Sequence, residues 1–562
     1  MEKTEIKLSP RGIEVRLGQR NYYTYRAICQ DAAIRKWDPT NQVWVFPRES
    51  ALDVARAFSS SADLEIDPEF KQFAHSFSLH LDEKFSGRLT DEQLSYIKTP
   101  LLTHQEQWLA FALKFKAVAN LAEQGTGKSK MALDWASLKK FKMVLIVARN
   151  SNLNKWHDEV IKHSDFTPIV LKGSRRDRKE RLDRAYELYD PVICVINYEY
   201  VFPWIDELLS VTWDAIILDE STAIKHPNSK RHKACCVLGS RAQARLILTG
   251  TPLVNSPIDA FGQFKFLNPN IFGGNFQAFK NRYCVFGGFG GYQIISYKRI
   301  DEIQEKIEQF SFRVLKKDCL DLPPKTYDKW DIEPAESWMK MYKELVNSEL
   351  LLLEGQQLDN TMAIAKLNRC MQLCDGFLYH HEASAFKNIP SPKMTELVEF
   401  LEDYFMSKEK IVIWAHFRAS IEMLEKNIST MFPDVEVRSI MGGAPVNDRS
   451  ASINWFNESY STNIQKRCLI LQTAANMHGI DLSIDTCVYY SRSWNNEEWL
   501  QSQDRIHGIG RGIEGSPCTY VVLGISGTVE DSIHKALQRK QLWSDLILKD
   551  VENLRAFMLG EV

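Results

Sequence analysis

At 562 residues the chain is too long for a single hydrophobic core, and about three to four domains are expected. Hydrophobic residues make up 44% and charged residues 25%, the composition of a soluble globular protein. A formal net charge of −2 gives no chain-wide positive field, so nucleic-acid binding would rest on a local basic track, and no apolar run reaches the ~20 residues that a membrane helix needs.

The first residues, Met1-Glu2-Lys3-Thr4-Glu5-Ile6-Lys7, are charged and lack the apolar core of a signal peptide. Residues 13–58 read as a small unit. Ile13-Glu14-Val15-Arg16-Leu17 alternates like a strand, Tyr25–Ala33 has a helical pattern, residues 35–47 read as strand, polar turn and strand, and Ser50–Phe58 as a further helix. Trp37 and Trp44 are expected in the core of so small a unit, because aromatics supply much of its buried area, with base stacking as the alternative. Arg16, Arg20, Arg35 and Lys36 are its better candidates for nucleic-acid contact. The residues that follow, to about 95, are less patterned.

From about 96 to 325, buried strands alternate with helical stretches, which implies a parallel sheet with covered faces. The strands include 118–122, 143–148, 192–196, 215–218 and 246–249. After the first comes Ala122-Glu123-Gln124-Gly125-Thr126-Gly127-Lys128-Ser129, a phosphate-binding loop. Gly125, Thr126 and Gly127 let backbone N–H groups wrap the phosphates, Lys128 reaches the β/γ-phosphates, and the Ser129 hydroxyl ligates Mg²⁺. The fourth strand ends in an acidic pair. Asp219 there can hold Mg²⁺ and Glu220 can polarise the attacking water. The two features together predict an ATPase. The mixed-sign run Arg175–Arg181 reads as a solvated helix face, and Phe286–Tyr292 as a flexible loop.

Residues 336–379 have a mostly helical pattern. Cys370, Cys374, His380 and His381 have the residue types of a zinc site, but the two cysteines lie one helical turn apart in an apolar pattern and are expected to face a core. The eleven cysteines form no framework and suit a reducing compartment. A second α/β series begins near 393, with strands at 411–414, 468–471, 487–490 and 520–523 and a final helix over about 529–547. It has no phosphate loop. It carries Gln501-Ser502-Gln503-Asp504-Arg505-Ile506-His507-Gly508-Ile509-Gly510-Arg511, where an arginine can stabilise charge on a transferring phosphoryl group.

In motif order, from about 100 to 547, the chain resembles helicase superfamily two and, within it, the Swi/Snf-type DNA translocases. Leu101-Leu102-Thr103-His104-Gln105 looks like the glutamine motif, with Gln105 reading adenine. Residues 148–156 match the strand-contacting motif, with Arg149 in place of the usual proline, which implies nucleic-acid contact by Asn154 and Trp156. Asn197-Tyr198-Glu199 stands where the family often has Thr-Tyr-Glu. Asp219–Lys225 matches motif II, and Leu248-Thr249-Gly250-Thr251-Pro252 followed by Asn255 matches the coupling motif. Residues 472–482 match motif V, which implies a contact by Thr473. Trp494-Asn495 precedes motif VI, and Gly527–Asp531 opens the C-terminal brace. Motif VI implies roles for Gln501 and Arg505 at the nucleotide. Its second arginine position is Gly508; either Arg511 substitutes, or transition-state stabilisation is reduced, or the sequence has been altered there. Residues 279–325 look like the first-lobe insertion of annealing helicases, and the N-terminal unit is similar to their HARP domain, implicated in recognising branched DNA.

These readings give an α/β protein: two RecA-like parallel-sheet lobes with helical insertions, plus a small α+β N-terminal domain. The expected boundaries are a HARP-like domain at 1–70, a linker at 71–95, lobe 1 at 96–325, a mostly helical connector at 326–392, and lobe 2 with its brace helix at 393–562. The expected activity is that of an ATP- and Mg²⁺-dependent translocase on double-stranded or branched DNA, acting as a monomer without a membrane. Its place would be the cytoplasm of a prokaryotic or phage-infected cell, or the nucleus of a eukaryote. The alternatives are ATP-driven displacement of protein from DNA and a DNA-binding scaffold with a weakened ATPase.

Overall fold

The computed structural model describes residues 3–561 apart from 20–21, 33, 60–63, 189–190, 251–255, 288–292, 353–359, 380–385, 459–465, 474–480, 494, 508–512, 514–515 and 539–550. Arg20, Thr251, Pro252, Asn255, His380, His381, Trp494, Gly508 and Arg511 therefore lie outside the described residues, as do 474–480 of motif V, most of the glycine-rich loop and the end of the brace helix. The chain divides into two units, Met1–Leu320 and Asp321–Val562.

Unit 1 begins with a five-stranded sheet in the order Lys36–Asp38, Val43–Phe46, Gly12–Arg16, Thr4–Ser9, Leu64–Ile66. All neighbours are antiparallel except the last pair. Helices Tyr22–Asp31 and Ala51–Ala57 contribute Tyr25, Cys29 and Val54 to a core with Ile6, Ile13, Val15 and Phe46. Trp37 departs from expectation. It sits opposite Trp44 on the edge strand, ring centroids 5.2 Å apart, and is 40% exposed. Trp44 packs at the core margin and the edge strand places Trp37 outside it.

The expected linker 71–95 is also corrected. Helix Pro68–Asp82 runs into it, with Asp67 as N-cap, accepting from Glu69 N, and proline in its first turn. Phe70 and Ala74 enter the N-terminal core, while Phe77 and Leu81 pack on the two faces of the next sheet. Its apolar residues serve three cores, so they never form the single stripe of an amphipathic helix.

The second sheet of unit 1 has seven parallel strands in the order Ser311–Phe312, Ala117–Asn120, Ala244–Leu248, Ala215–Asp219, Met143–Ala148, Val192–Asn197, Thr167–Val170. Both faces are covered, and the central strands are apolar apart from Arg245 and the terminal Asp219. An insertion follows: helix Phe276–Tyr283, the hairpin Cys284–Gly287 with Gln293–Tyr297, and helix Ile300–Gln309. The N-terminal domain meets it mainly through ions. Lys306 binds Asp53 at 2.6 Å, Arg299 binds Asp31 at 3.0 Å and Arg56 binds Glu305 at 2.7 Å. These pairs border a cavity of about 620 Å³ lined by Ile28, Phe46, Val54 and Phe58.

Unit 2 is a six-stranded parallel sheet in the order Lys325–Ile332, Cys518–Ile525, Thr486–Tyr489, Lys410–Ala415, Lys466–Gln472, Val435–Ile440. The first strand corrects the boundary at 325/326, since residues assigned to the connector form an edge of this sheet. Its Lys-Thr-Tyr-Asp-Lys-Trp-Asp-Ile sequence is charged because an edge faces water. Helices Glu336–Leu351 and Asn360–Asp375 pack with Val529–Gln538 and Val551–Met558 in a separate core. Cys370 and Cys374 are fully buried in it.

Candidate functional site

Strand Ala117–Asn120 leads into loop 121–127, and helix Lys128–Leu138 starts at its end. Gly125 and Gly127 adopt φ of +81° and +87°, a region that costs an L side chain roughly 1–2 kcal/mol per residue. A Cβ on Gly127 would also stand 2.4 Å from Gln105 Nε2. The glycines let the main chain curl over the helix start, where N–H groups have no intrahelical partner. Such a cradle fits the oxygens of a nucleotide phosphate. Lys128 is the first helical residue, and its Nζ donates to Ala122 O at 2.8 Å across the loop. Ser129 follows it, half-buried. The Thr126 hydroxyl donates to Glu123 O at 2.7 Å and closes the turn.

Helix Thr103–Ala112 braces this loop. Gln105, 3% exposed, accepts from Leu102 N at 3.0 Å and donates to Thr126 O at 3.2 Å. Each end of the amide is thus used once on the chain itself, which leaves a second N–H and a second lone pair for the adenine-reading role expected of it. His104 Nε2 meets the same Thr126 carbonyl at 2.9 Å. Burial lowers the His104 pKa, and the bond to Thr126 opposes this only in part. The ring is neutral at pH 7, with its proton on Nε2.

Asp219 ends the central strand of the seven. Glu220 follows at φ +51°, ψ +60°, one of four non-glycine residues with positive φ among those described. Only tertiary contacts keep a non-glycine residue there, and such strain concentrates at functional sites. The phosphate-loop strand lies two strands away, roughly 10 Å at sheet spacing. The gap is bridged by Gln124 of the loop, whose Nε2 donates to Glu220 Oε1 at 3.1 Å. The strand between them ends beside the loop too: a Cβ on Gly250 would lie 3.3 Å from Gln124 N and 3.6 Å from Lys128 Nζ.

Asp219 is held from the other side. Its Oδ2 accepts from Asn152 Nδ2 at 3.2 Å and from Trp156 Nε1 at 2.9 Å, and its carbonyl accepts from the Tyr198 hydroxyl at 2.9 Å. Burial pushes the Tyr198 phenol well above its ordinary range, so it stays a donor. This corrects the expectation for Trp156. The indole is 2% exposed and turned onto Asp219, with no edge left for a nucleic-acid backbone. Asn154, two residues before it, is exposed and accepts from Lys172.

The remaining candidates are on the N-terminal domain and in unit 2. Arg16, Arg35 and Lys36 are exposed on the N-terminal domain, and Arg35 donates to Ala32 O at 2.6 Å. In unit 2, Thr473 bonds His416 at 3.2 Å, and Arg505, 3% exposed, donates from Nε to the Gln501 carbonyl at 3.0 Å. The residues that sequence reasoning passed over are Gln124, Asn152 and His104. All three lie inside the quoted motifs, and their only signal of a role is a polar side chain in a stretch otherwise built for burial.

The chain matches the SNF2-related domain over residues 28–376 and the helicase conserved C-terminal domain over 392–510. Similar curated proteins include YwqA of Bacillus subtilis, 26% identical over 416 residues, covering 72% of this chain and 43% of that protein. The ISWI chromatin-remodeling complex ATPase ISW1 of Saccharomyces cerevisiae is 26% identical over 455 residues, covering 75% and 38%. The solved Sulfolobus solfataricus SWI2/SNF2 ATPase core in complex with dsDNA aligns over 82% of this chain and 98% of that chain, at 22% identity and a TM-score of 0.37. The chain spans less than half the length of the two curated proteins. With one family match alone covering more than half of its residues, it belongs to the SNF2-related family.

Proposed function

We propose that the chain is a DNA-dependent ATPase that translocates on double-stranded DNA and remodels branched DNA or anneals strands. The observation that carries the ATPase part is the bridge between the phosphate loop and the acidic pair, in which Gln124 holds Glu220 at the carboxyl ends of parallel strands, where open α/β sheets bind ligands. Backbone N–H groups of 125–129 take the phosphates, and the Lys128 ammonium leaves Ala122 O for the β/γ oxygens. Glu220 accepts a hydrogen bond from the attacking water, aligning its lone pair with the terminal phosphorus. Ser129 and Asp219 would hold Mg²⁺, which when bound neutralises phosphate charge.

Family membership supports duplex DNA as the track, and the names of similar proteins support coupling of ATP turnover to remodelling. Contacts to a translocation track are mostly to phosphates, because stepping must be indifferent to sequence. For the N-terminal domain, exposed Arg16, Arg35, Lys36 and Trp37 support a role in choosing branched structures. A second reading, a DNA-binding scaffold with weakened turnover, is favoured by Gly508 at the second motif VI arginine position. The deciding experiment is the ATPase rate with single-stranded, duplex and forked DNA and with RNA. Stimulation by duplex and more by forks is expected. DNA binding without stimulation by any ligand would favour the scaffold.

A further inference from the structure

Strand Met143–Ala148 lies beside Ala215–Asp219 in parallel register, Val147 opposite Leu218. The chain leaving its carboxyl end therefore turns next to Asp219. That turn, Asn150–Asn152, and the first turn of helix Leu153–His163 supply two donors to one carboxylate oxygen, Asn152 at 3.2 Å and Trp156 at 2.9 Å. Both donors are buried, Asn152 at 8% and Trp156 at 2% exposure. A carboxylate on a single bond can spin; one whose Oδ2 is pinned by two N–H groups presents its remaining lone pairs in one direction. Bonds to an ionised acceptor are about twice as strong as neutral ones, so the restraint is substantial.

We infer that Asn152 and Trp156 are positioning residues for the divalent-cation carboxylate, fixing Asp219 in the orientation that a phosphate-bound Mg²⁺ requires. The inference rests on the nucleotide reading above and deepens it. It also joins two surfaces through one turn of helix. Asn154 faces solvent on the segment expected to meet nucleic acid, while its neighbours two residues to either side hold Asp219. A displacement of this turn would move the metal carboxylate directly.

The test uses the full chain and a fluorescent N-methylanthraniloyl-ADP, titrated with magnesium chloride and, separately, in EDTA. Trp156→Phe keeps the ring and removes the N–H; Asn152→Ala removes the second donor. The Mg²⁺ midpoint should rise about tenfold in each single-donor variant, the order of one charge-assisted bond. Affinity in EDTA should stay at the wild-type value, a split that a packing role would not produce. Unchanged Mg²⁺ midpoints in Trp156→Phe and Asn152→Ala, with wild-type melting temperatures, would overturn the inference. If Trp156→Phe does not fold, Asn152→Ala decides alone. Absence of any Mg²⁺-dependent nucleotide binding by the wild-type chain would overturn the nucleotide site itself, before a variant is compared.

Discussion

The polar clusters that stand out in the two large parallel sheets lie in different places. In unit 1 they gather at the carboxyl ends of the strands, where Gln124 meets Glu220 and Asn152 and Trp156 meet Asp219. In unit 2 the strongest polar cluster is inside. Lys393, fully buried, binds Asp375 at 2.7 Å, Glu530 at 2.6 Å and the Tyr490 carbonyl at 2.9 Å. Burial works against its ammonium, but Asp375 and Glu530 more than offset this and hold it charged. The triad ties the Asn360–Asp375 helix and the Val529–Gln538 helix to helix Pro392–Ser407 and the sheet. One architecture thus supports a cluster at the rim, where we propose that a nucleotide binds, and a cluster arranged for cohesion. The difference is whether the polar atoms are aimed at a rim or at each other.

The sharpest way to break this contrast is to exchange the consequences. Glu220→Gln should cut hydrolysis on the order of 10²–10⁴-fold, the usual worth of a positioned base, with nucleotide binding retained. Lys128→Ala should lose binding itself. Hydrolysis near the wild-type rate in Glu220→Gln would remove the catalytic reading of the rim. Lys393→Met should do the reverse. It leaves two buried carboxylates facing each other and should cost about 3–5 kcal/mol. Hydrogen exchange should locate that loss in peptides of Thr486–Tyr489 and Asn360–Asp375, and not in Ala215–Asp219. Uniform loss across both units would show that they do not melt separately.

Gly127→Ala tests the cradle at smaller amplitude. A forced positive φ together with a 2.4 Å approach to Gln105 should cost about 1–3 kcal/mol, read as weaker nucleotide binding. The N-terminal docking is weaker still, since most of its ion pairs are exposed and each is worth about 0–1 kcal/mol. Raising salt should therefore speed hydrogen exchange in peptides of Ala51–Ala57 and Ile300–Gln309, and Lys306→Ala should lower the salt at which this occurs. Protection independent of salt would mean that apolar contact, not charge, holds the domain.

The smallest effect concerns pH. Burial lowers His163 and His534 to about 4, and His104, His232 and His416 also lie below their ordinary value. The unfolded chain binds more protons there, so the stability these rings contribute is complete above pH ~6.5 and is lost as pH falls towards about 4. Asp134, pushed up to about 6 by burial, acts in the opposite sense. Melting temperature should fall between pH 7 and 5, and His163→Gln should flatten the slope. An unchanged slope would place the sensitivity elsewhere.

The amino-acid sequence by itself determined the elements whose physics is local. Short apolar runs such as Ala215–Leu218 and Cys468–Leu471, set among helical stretches, favour strands covered on both faces, and the Gly125–Ser129 pattern favours a main chain that curls at the start of a helix. The acidic pair after a buried strand was readable for the same reason. What the tertiary structure alone decided were the elements whose residues answer to more than one neighbour. Helix Pro68–Asp82 spreads its apolar residues over three cores, and Lys325–Ile332 is a charged edge that joins the second sheet only through pairing with Cys518–Ile525. Trp156 is the clearest case. Its motif position suggested the surface, yet parallel registry of two strands brings its indole against Asp219, because hydrogen-bond partners distant in sequence are fixed by sheet order and not by any local pattern.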